Sequence, residues 1–469
     1  AAPENLTGTE FLYQEGQTVH TGFDFSWSHD RINVNDFLVK YRIDNDNFTT
    51  LTTSSPSITL RALRAGTLSV QVLARNYLGK QSTISTATFT LVGKTAVPGD
   101  VQNLSIEPIS ANSARLRWDQ TVDLDVKVNG LVHIKHSNLT DGTATWPNSV
   151  DLIPAVAGNS TEAIVPLIEG EILVKFEDEL GNKSTNATSV LMDFPDPLGR
   201  ITIQTRREDQ DTPPFQGTKT DCFYSDDLDA LIIDGNGQFD SETDVDAITA
   251  FDFLGDIFSS AEYQFANTLD LGAKFSLDIK RRFVTRAFFP NDTIDARTAL
   301  VDTWNDFDGT EADAVNAKLY MRRTDDDPSG SPTYTAWQEF AAGTFSGRAF
   351  QFKAELTSND IAQNILIDQL GYETSFQRRE EISNGTIASG TSTKSVTFAN
   401  PFFVGTSALG NLNNFLPSVG ITVQNLGNGE RLNVSNVTST GFDIDVLDSS
   451  GNNVNRNFSY TAVGFGRGT

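Results

Sequence analysis

The chain has 469 residues, with 61 acidic and 35 basic side chains and a formal net charge of −26. Phosphate backbones and anionic membranes would repel this charge, so we do not expect nucleic acid among the partners. At about 100 to 200 residues per domain the length predicts three or four domains, and the single cysteine, Cys222, excludes an intrachain disulfide.

Apolar and polar residues alternate along most of the chain. In "FDFSW" the side chains of Phe23, Phe25 and Trp27 fall on one face of a strand, and "FQFKAEL" (350–356) and "FDIDV" (442–446) alternate in the same way. A period of two is typical of half-buried strands. The sequence therefore predicts an all-β chain built from tandem β-sandwich modules.

The first two hundred residues contain a degenerate repeat. One copy has "FDFSWSHD" around Trp27 and a later "GTLSVQVLARNYLGKQS"; the other has "ARLRWDQTVDLDV" around Trp118 and a later "GEILVKFEDELGNKS". Each copy offers a strand with a core tryptophan and a late strand that ends in a Leu-Gly turn. These features resemble fibronectin type III modules, which we place at residues 1–96 and 97–193.

Two prolines in "DFPDPLGR" (193–200) interrupt the pattern and mark the next boundary. From there we predict a larger β-sandwich at residues 194–376. The last part, residues 377–469, is rich in Asn, Gly and Ser and again has alternating strands. We predict a small C-terminal β-sandwich knob there.

The segment "DGNGQFDSETDV" is the first candidate for a metal site. Asp234, Asn236 and Asp240 would supply oxygen ligands as in a calcium loop. However, its sixth position is Phe239, where an EF-hand needs glycine, and its twelfth is Val245, where a bidentate glutamate is needed. We therefore expect a solvated loop and no metal.

Other candidates for chemistry are weaker. His133 and His136 would point to opposite faces of a strand, so shared zinc ligation is not expected. Cys222 is best interpreted as a buried structural thiol. The sequence has no phosphate-binding glycine loop, no G-x-S-x-G elbow and no H-E-x-x-H, and the spacing of the acidic residues singles out no catalytic pair. We predict a protein without enzymatic activity or cofactor.

The stretch "RRTDDDPSGSPTYTAWQEF" (322–340) raises the question of an acidic site. Alternating strands flank it: Leu319 and Met321 share one face, and Tyr320 and Arg322 share the other. Aspartates bond their own backbone in turns, and proline and glycine set the turn angles. We therefore predict a hairpin loop at residues 325–332 rather than a metal site.

The same region carries a family resemblance. "YMRRTDDDPSGSPTYTAWQEFAAGTFSGRAFQFKAEL", with "YQFANTLDLGAKF" upstream, resembles the C-terminal region of tailed-phage central tail-fibre proteins, the tip attachment or host specificity proteins of the J type. In that family a hub-forming part is followed by fibronectin-like modules, a β-sandwich and a terminal knob. The final "FDIDVLDSSGNNVNRNFSYTAVGFGRG" is similar to terminal domains of phage tail proteins related to H-type lectins.

The resemblance implies a non-catalytic, homotrimeric virion protein at the tail tip. Such a protein recognises a host-cell receptor, for example a surface glycan, mediates adsorption, and contacts tail hub and baseplate proteins. The hub part is absent from the sequence, so the chain would be the distal part of the fibre. Two alternatives stay open: a secreted bacterial carbohydrate-binding or adhesin protein, and a polysaccharide depolymerase, for which the expected short β-helix repeats are not visible.

A polar loop in the last predicted domain is the candidate receptor site. "GTSALGNLNNFLPSVG" (405–420) contains Asn411, Asn413, Asn414 and Phe415. Amides offer donors and acceptors to sugar hydroxyls, and an aromatic ring supplies a flat apolar partner. We predict that these four residues bind the receptor. The alternative is a surface loop whose Phe415 and Leu416 fill the core, or a trimer contact.

Overall fold

The structure is a computed structural model that describes residues 1–468 except 31, 111, 194–198, 236–256, 290–311 and 313. The described residues form 32 strands, one short α-helix and two 3-10 turns. The predicted all-β class of tandem sandwiches is confirmed. No helix in the described part of the chain is long and apolar enough to cross a membrane.

The first module packs a three-stranded sheet, β1-β2-β5, against a four-stranded sheet, β4-β3-β6-β7. The inward faces bring Phe23, Phe25, Trp27 and Phe37 together in one core, as the alternation predicts. This three-plus-four order is that of a fibronectin type III sandwich. Its elements are β1 (Glu4–Glu15), β2 (Thr18–Ser28), β3 (Asp36–Ile43), β4 (Thr49–Thr53), β5 (Ser57–Leu63), β6 (Gly66–Arg75), β7 (Ser85–Leu91) and a 3-10 turn (Gly93–Thr95).

The second module has a similar arrangement, with a three-stranded sheet, β13-β9-β8, and a five-stranded sheet, β11-β10-β14-β15, in which β12 also pairs with β10. Trp118 follows β9, is 4% exposed, and donates its indole N–H to the Ser160 carbonyl at 2.9 Å. Its elements are β8 (Ser105–Pro108), β9 (Ser113–Arg117), α1 (Leu124–Asn129), β10 (Leu131–Ser137), β11 (Val150–Asp151), β12 (Val156–Ala157), β13 (Glu162–Pro166), β14 (Gly170–Glu177) and β15 (Thr188–Met192).

The central module is built on three long strands: β21 has 20 residues, β25 has 19 and β24 has 17. They lie side by side in the order β24-β21-β25. The elements are β16 (Arg200–Arg207), a 3-10 turn (Glu208–Gln210), β17 (Thr218–Thr220), β18 (Cys222–Ser225), β19 (Ala230–Ile233), β20 (Ser260–Gln264), β21 (Leu269–Phe288), β22 (Val315–Thr324), β23 (Gln338–Glu339), β24 (Ala342–Ser358) and β25 (Asn364–Ile382).

The terminal module is a smaller sandwich. One of its sheets is β27-β30-β29, and in the other β31 pairs with β26, β28 and the end of β25. Phe398, Phe402, Phe442, Phe458 and Tyr460 form its core. Its elements are β26 (Ile387–Ala388), β27 (Lys394–Thr397), β28 (Ser418–Val423), β29 (Arg431–Ser435), β30 (Gly441–Leu447), β31 (Asn457–Phe465) and β32 (Arg467–Gly468).

The central and terminal modules share strands. Strand β25 runs without interruption through the boundary predicted between residues 376 and 377: up to Gln377 it pairs with β16 and β21, and Arg378 to Ile382 pair with β31. At the chain end, β32 returns to pair with β21. The four predicted domain ranges stay a prediction, and two of them are joined by hydrogen-bonded strands rather than by a linker.

The second module covers an open edge of the central sheet. On one side β21 pairs with β24 only as far as Lys280. Beyond that point, the Asn138 Oδ1 accepts from the Phe283 amide at 2.8 Å, and the Asn148 Oδ1 accepts from the Ala287 amide at 3.2 Å. Side-chain amides of the second module thus satisfy backbone donors that would otherwise lack partners.

Candidate functional site

Asn411 fastens the predicted receptor loop to the central module. Its Oδ1 accepts from the Thr406 amide at 2.9 Å, and its Nδ2 donates to the Ile203 carbonyl in β16 at 3.3 Å. Gly405 has φ +94, and a Cβ there would meet the Asn411 carbonyl oxygen at 1.8 Å. The loop therefore needs a glycine at this point, and the Asn411 amide is buried and engaged at both ends.

Phe415 is half-buried and packs inward. Its ring centroid lies 5.8 Å from that of Phe403, and both residues pack with the core of the central module. This is the packing role that the sequence leaves open as the alternative for Phe415.

Asn413 and Asn414 are exposed. They lie between two apolar side chains, Leu412 and Leu416, which are 51% and 43% exposed. Asn413 adopts a positive φ of 64, which asparagine tolerates in turns. Of the four predicted receptor residues, two face solvent and two hold the loop in place. Receptor binding by this loop stays a prediction.

The aspartates at 325–327 each have a local partner. Asp325 pairs with Lys274 at 2.7 Å, and the Asp326 carboxylate accepts from the Thr333 amide at 2.9 Å. Hydrogen bonds from Ser329 and the guanidinium of Arg348 lower the pKa of Asp327 to about 2. The hairpin loop predicted here is present between β22 and β24. It is longer than predicted, because the chain pairs with β22 again only at β23.

Aromatic and cationic side chains gather on the outer face next to this loop. The Arg322 guanidinium carbon lies 4.9 Å from the ring centroid of Tyr334 and 4.6 Å from that of Trp337. The Lys353 ammonium lies 5.4 Å from the Tyr320 centroid and 5.3 Å from that of Trp337. We call these five residues the outer-face cluster. The sequence places Tyr320 and Arg322 on one face but gives no sign that the loop brings Tyr334 and Trp337 over it.

His133, His136 and Cys222, the other residues considered for metal binding or chemistry, are each held by contacts within the fold. His133 contacts Glu177 at 2.9 Å, while His136 lies on the other face of β10 and contacts the Glu169 carbonyl at 3.1 Å. Cys222 is buried, and burial raises the pKa of its thiol to about 11. Among the described residues no group of His, Cys, Asp and Glu is arranged to hold a metal ion.

The candidate calcium loop is described only at its start. Asp234 accepts the amide of Gly235 at 2.8 Å, whereas Asn236 and Asp240 lie outside the described residues.

Comparison with known proteins finds likeness only at the level of fold. No protein-family model matches the chain, and no curated protein matches it. A two fibronectin type III domain segment of chicken tenascin is 16% identical, covers 41% of this chain and 100% of its own, and has a TM-score of 0.23. The FN1–FN3 domains of chicken CNTN1 are 12% identical, cover 41% of this chain and 67% of their own, and have a TM-score of 0.18.

The fold of the first two modules is assigned from the order of the strands in their sheets and not from these two likenesses. Each module has one sheet of three strands and a larger one, of four strands in the first module and five in the second, with a tryptophan packed between them. The first two modules are fibronectin type III-like β-sandwiches.

Proposed function

We propose that the chain is a non-catalytic structural protein of a phage tail tip, which recognises a receptor on the host cell and mediates adsorption. The observation that carries the proposal is the continuity of the central and terminal modules through β25 and β32. A fibre that seats a particle on a cell must transmit force from its tip. Hydrogen-bonded strands that run from one module into the next provide that path, and a flexible linker would not.

Apolar packing at the same junction supports this role. Phe403 follows the first strands of the terminal module, yet it contacts Phe275 and Phe376 of the central module, with ring centroids 5.6 and 4.7 Å apart. Burial of a phenylalanine contributes about 1.5 to 3 kcal/mol. The junction thus belongs to a core and is not a surface contact.

We place receptor contact at the solvent-facing side of the loop that Asn411 fastens to the central module. Asn413 and Asn414 present amides to solvent, and the exposed Leu412 and Leu416 beside them offer apolar surface. This combination suits a partner with both hydroxyl groups and apolar faces, such as a cell-surface glycan.

A homotrimer is the assembly that we propose. Within the described sheets, β29 pairs only with β30 and leaves its other edge open. It carries Leu432 and Val434, which are 38% and 36% exposed. Open strand edges are aggregation hazards unless a neighbour covers them, and adjacent copies in a trimer would do so. Tail hub and baseplate proteins are the further partners at the other end.

Antibodies raised against the purified chain test the proposal. We expect them to label the tail tip of virions and to block adsorption of those virions to their host. Labelling of a bacterial surface with no labelling of virions would contradict the tail-fibre role and favour a secreted adhesin.

A further inference from the structure

We propose that the outer-face cluster of the central module (Tyr320, Arg322, Tyr334, Trp337 and Lys353) binds a saccharide that carries an anionic group. This site is distinct from the terminal-module loop. The inference does not depend on the virion role, because a secreted adhesin would use such a site in the same way.

The register of β22 against β24 builds the floor of this site. Tyr320 lies opposite Lys353, and Arg322 lies opposite Gln351. Side chains alternate between the two faces of a sheet, so these four residues share the outer face, while their neighbours Leu319, Met321 and Phe352 are fully buried in the core. The floor is therefore held by a rigid, packed sheet.

The loop after β22 supplies two further rings. Tyr334 and Trp337 are both half-buried, and the Thr335 amide donates to the Arg323 carbonyl at 2.9 Å, which fixes the loop along the strand. Partly exposed aromatic rings give the apolar C–H face of a sugar a flat surface on which to stack. The outer-face cluster has three such rings.

Arg322 is the group that selects an anion. Its Nε donates to the Gln351 Oε1 at 2.8 Å, and within the described part of the chain no carboxylate lies within salt-bridge distance of it. Neighbouring cations differ: Lys318 pairs with Glu339, and Arg348 pairs with Asp270 and Asp327. The two Nη groups of Arg322 thus keep the donor fork that matches a carboxylate or phosphate.

Two carboxylates on the same face, those of Glu262 and Glu355, are the groups that would accept hydrogen bonds from the hydroxyls of the saccharide. Lys353 contacts Glu262 and Glu355, each at 2.6 Å. Both acids are thus bonded to the buried Lys353 ammonium and not to Arg322. An anionic group would therefore bind at Arg322, and uncharged sugar hydroxyls would face the acids. The polarity of the surface predicts an oligosaccharide bound lengthwise, with its charged end at Arg322.

Titration calorimetry of the full chain at low ionic strength tests the proposal with three probes. Oligogalacturonate carries carboxylates, mannose 6-phosphate carries a phosphate, and maltotriose is neutral. We expect one of the two anionic probes to bind and maltotriose to bind at least about tenfold more weakly. Which anionic probe binds distinguishes a uronate-type glycan from a phosphorylated one. No binding of either anionic probe, or equal binding of maltotriose, would overturn the proposal.

Two substitutions assign the binding to this surface. Arg322→Gln keeps a polar side chain and is expected to lower the affinity for the anionic probe about tenfold or more. Arg378→Gln removes an exposed arginine elsewhere and should leave this affinity unchanged. Trp337→Phe keeps a ring and should have an intermediate effect. Equal losses in Arg322→Gln and Arg378→Gln would show a general charge effect and refute the site.

The oligomeric mass of Arg322→Gln separates this site from an assembly surface. An unchanged mass together with lost binding supports a glycan site. A changed mass with unchanged binding would show that the outer-face cluster is a contact between copies, and would overturn the proposal while leaving the adsorption role intact.

Discussion

At the scale of single residues, Glu208 shows how the central module keeps a buried charge. It is 0% exposed, and its carboxylate accepts from the Tyr263 hydroxyl and from the Arg206 Nε, both at 2.6 Å. The Tyr263 hydroxyl in turn accepts from the Gly217 amide at 2.8 Å. Burial, followed by the bond to Glu208, raises the pKa of Tyr263.

Tyr263→Phe is expected to destabilise the chain by about 1 to 3 kcal/mol, because it leaves the buried Glu208 carboxylate and the partly buried Gly217 amide each without one partner. The measurement is the midpoint of urea unfolding. Tyr224→Phe is the matched control: it also removes a hydroxyl bonded to a carboxylate, that of Asp229, but at an exposed position, so its effect should be much smaller. Equal effects of the two substitutions would contradict this account of Glu208.

His136 predicts a pH dependence of stability. Burial, and secondarily the charge of Arg281, lower its pKa from 6.5 to about 3. The folded chain keeps the ring neutral, while the unfolded chain protonates it near pH 6.5, so acid favours unfolding. The contribution of the neutral ring to the free energy of unfolding is fully present above about pH 6.5 and is lost as the pH falls toward about 3. Over that range the free energy of unfolding changes by at most about 1.4 kcal/mol per pH unit.

His136→Gln tests this slope. The glutamine can still donate to the Glu169 carbonyl but does not titrate. Plots of unfolding free energy against pH should converge for the two proteins as the pH falls from 6.5 to 4.5. Parallel plots would show that His136 does not contribute to the pH dependence.

Residues whose roles depend on local alternation were predictable, and residues with distant partners were not. Trp27, Trp118 and Cys222 are buried as the sequence predicts, because each lies on a strand or directly after one, where local alternation decides burial. Asn411 was predicted to face a receptor, yet it bonds Ile203, which lies 208 residues away. Such a contact depends on how two modules meet, and a local pattern does not contain it.

At the scale of elements, the same type of turn occurs once in each of three modules: the first, the second and the terminal module. In each, an Asn or Asp Oδ1 accepts two backbone amides, two and four residues later, and a glycine follows at positive φ. The sequence predicts the two Leu-Gly examples and misses the third, which has serine before its glycine. The three turns begin at Asn76, Asp178 and Asp448 and contain Gly79, Gly181 and Gly451.

The junction of the central and terminal modules predicts linked unfolding. Phe403→Ala removes a ring that is 1% exposed and packs on Phe275 and Phe376, with an expected loss of about 3 to 5 kcal/mol. Because β25 belongs to both modules, amide hydrogen exchange should accelerate in β21 as well as in β31. Exchange that changes in only one of these strands would contradict the shared core.

Phe398→Ala is the control for that experiment. Phe398 is also buried, but its ring neighbours are Phe402, Phe442 and Tyr460, all in the terminal module. Exchange should therefore accelerate in β30 and β31 and stay unchanged in the part of β21 that lies far from the junction.

At the scale of the whole molecule, charge bears on assembly. A net charge of −26 on each copy makes copies repel one another, and at about 0.1 M salt this repulsion is screened beyond about 10 Å. Contacts between copies must therefore come from apolar and strand-edge surfaces such as β29. Association is expected to weaken as the salt concentration is lowered.

The mass of the purified chain in solution tests the proposed fibre most directly. Light scattering at moderate salt should give about three times 51.2 kDa, the mass of one chain. That result would support a homotrimer whose copies cover one another's open strand edges. A mass of 51.2 kDa that does not rise with protein or salt concentration would contradict the trimeric fibre.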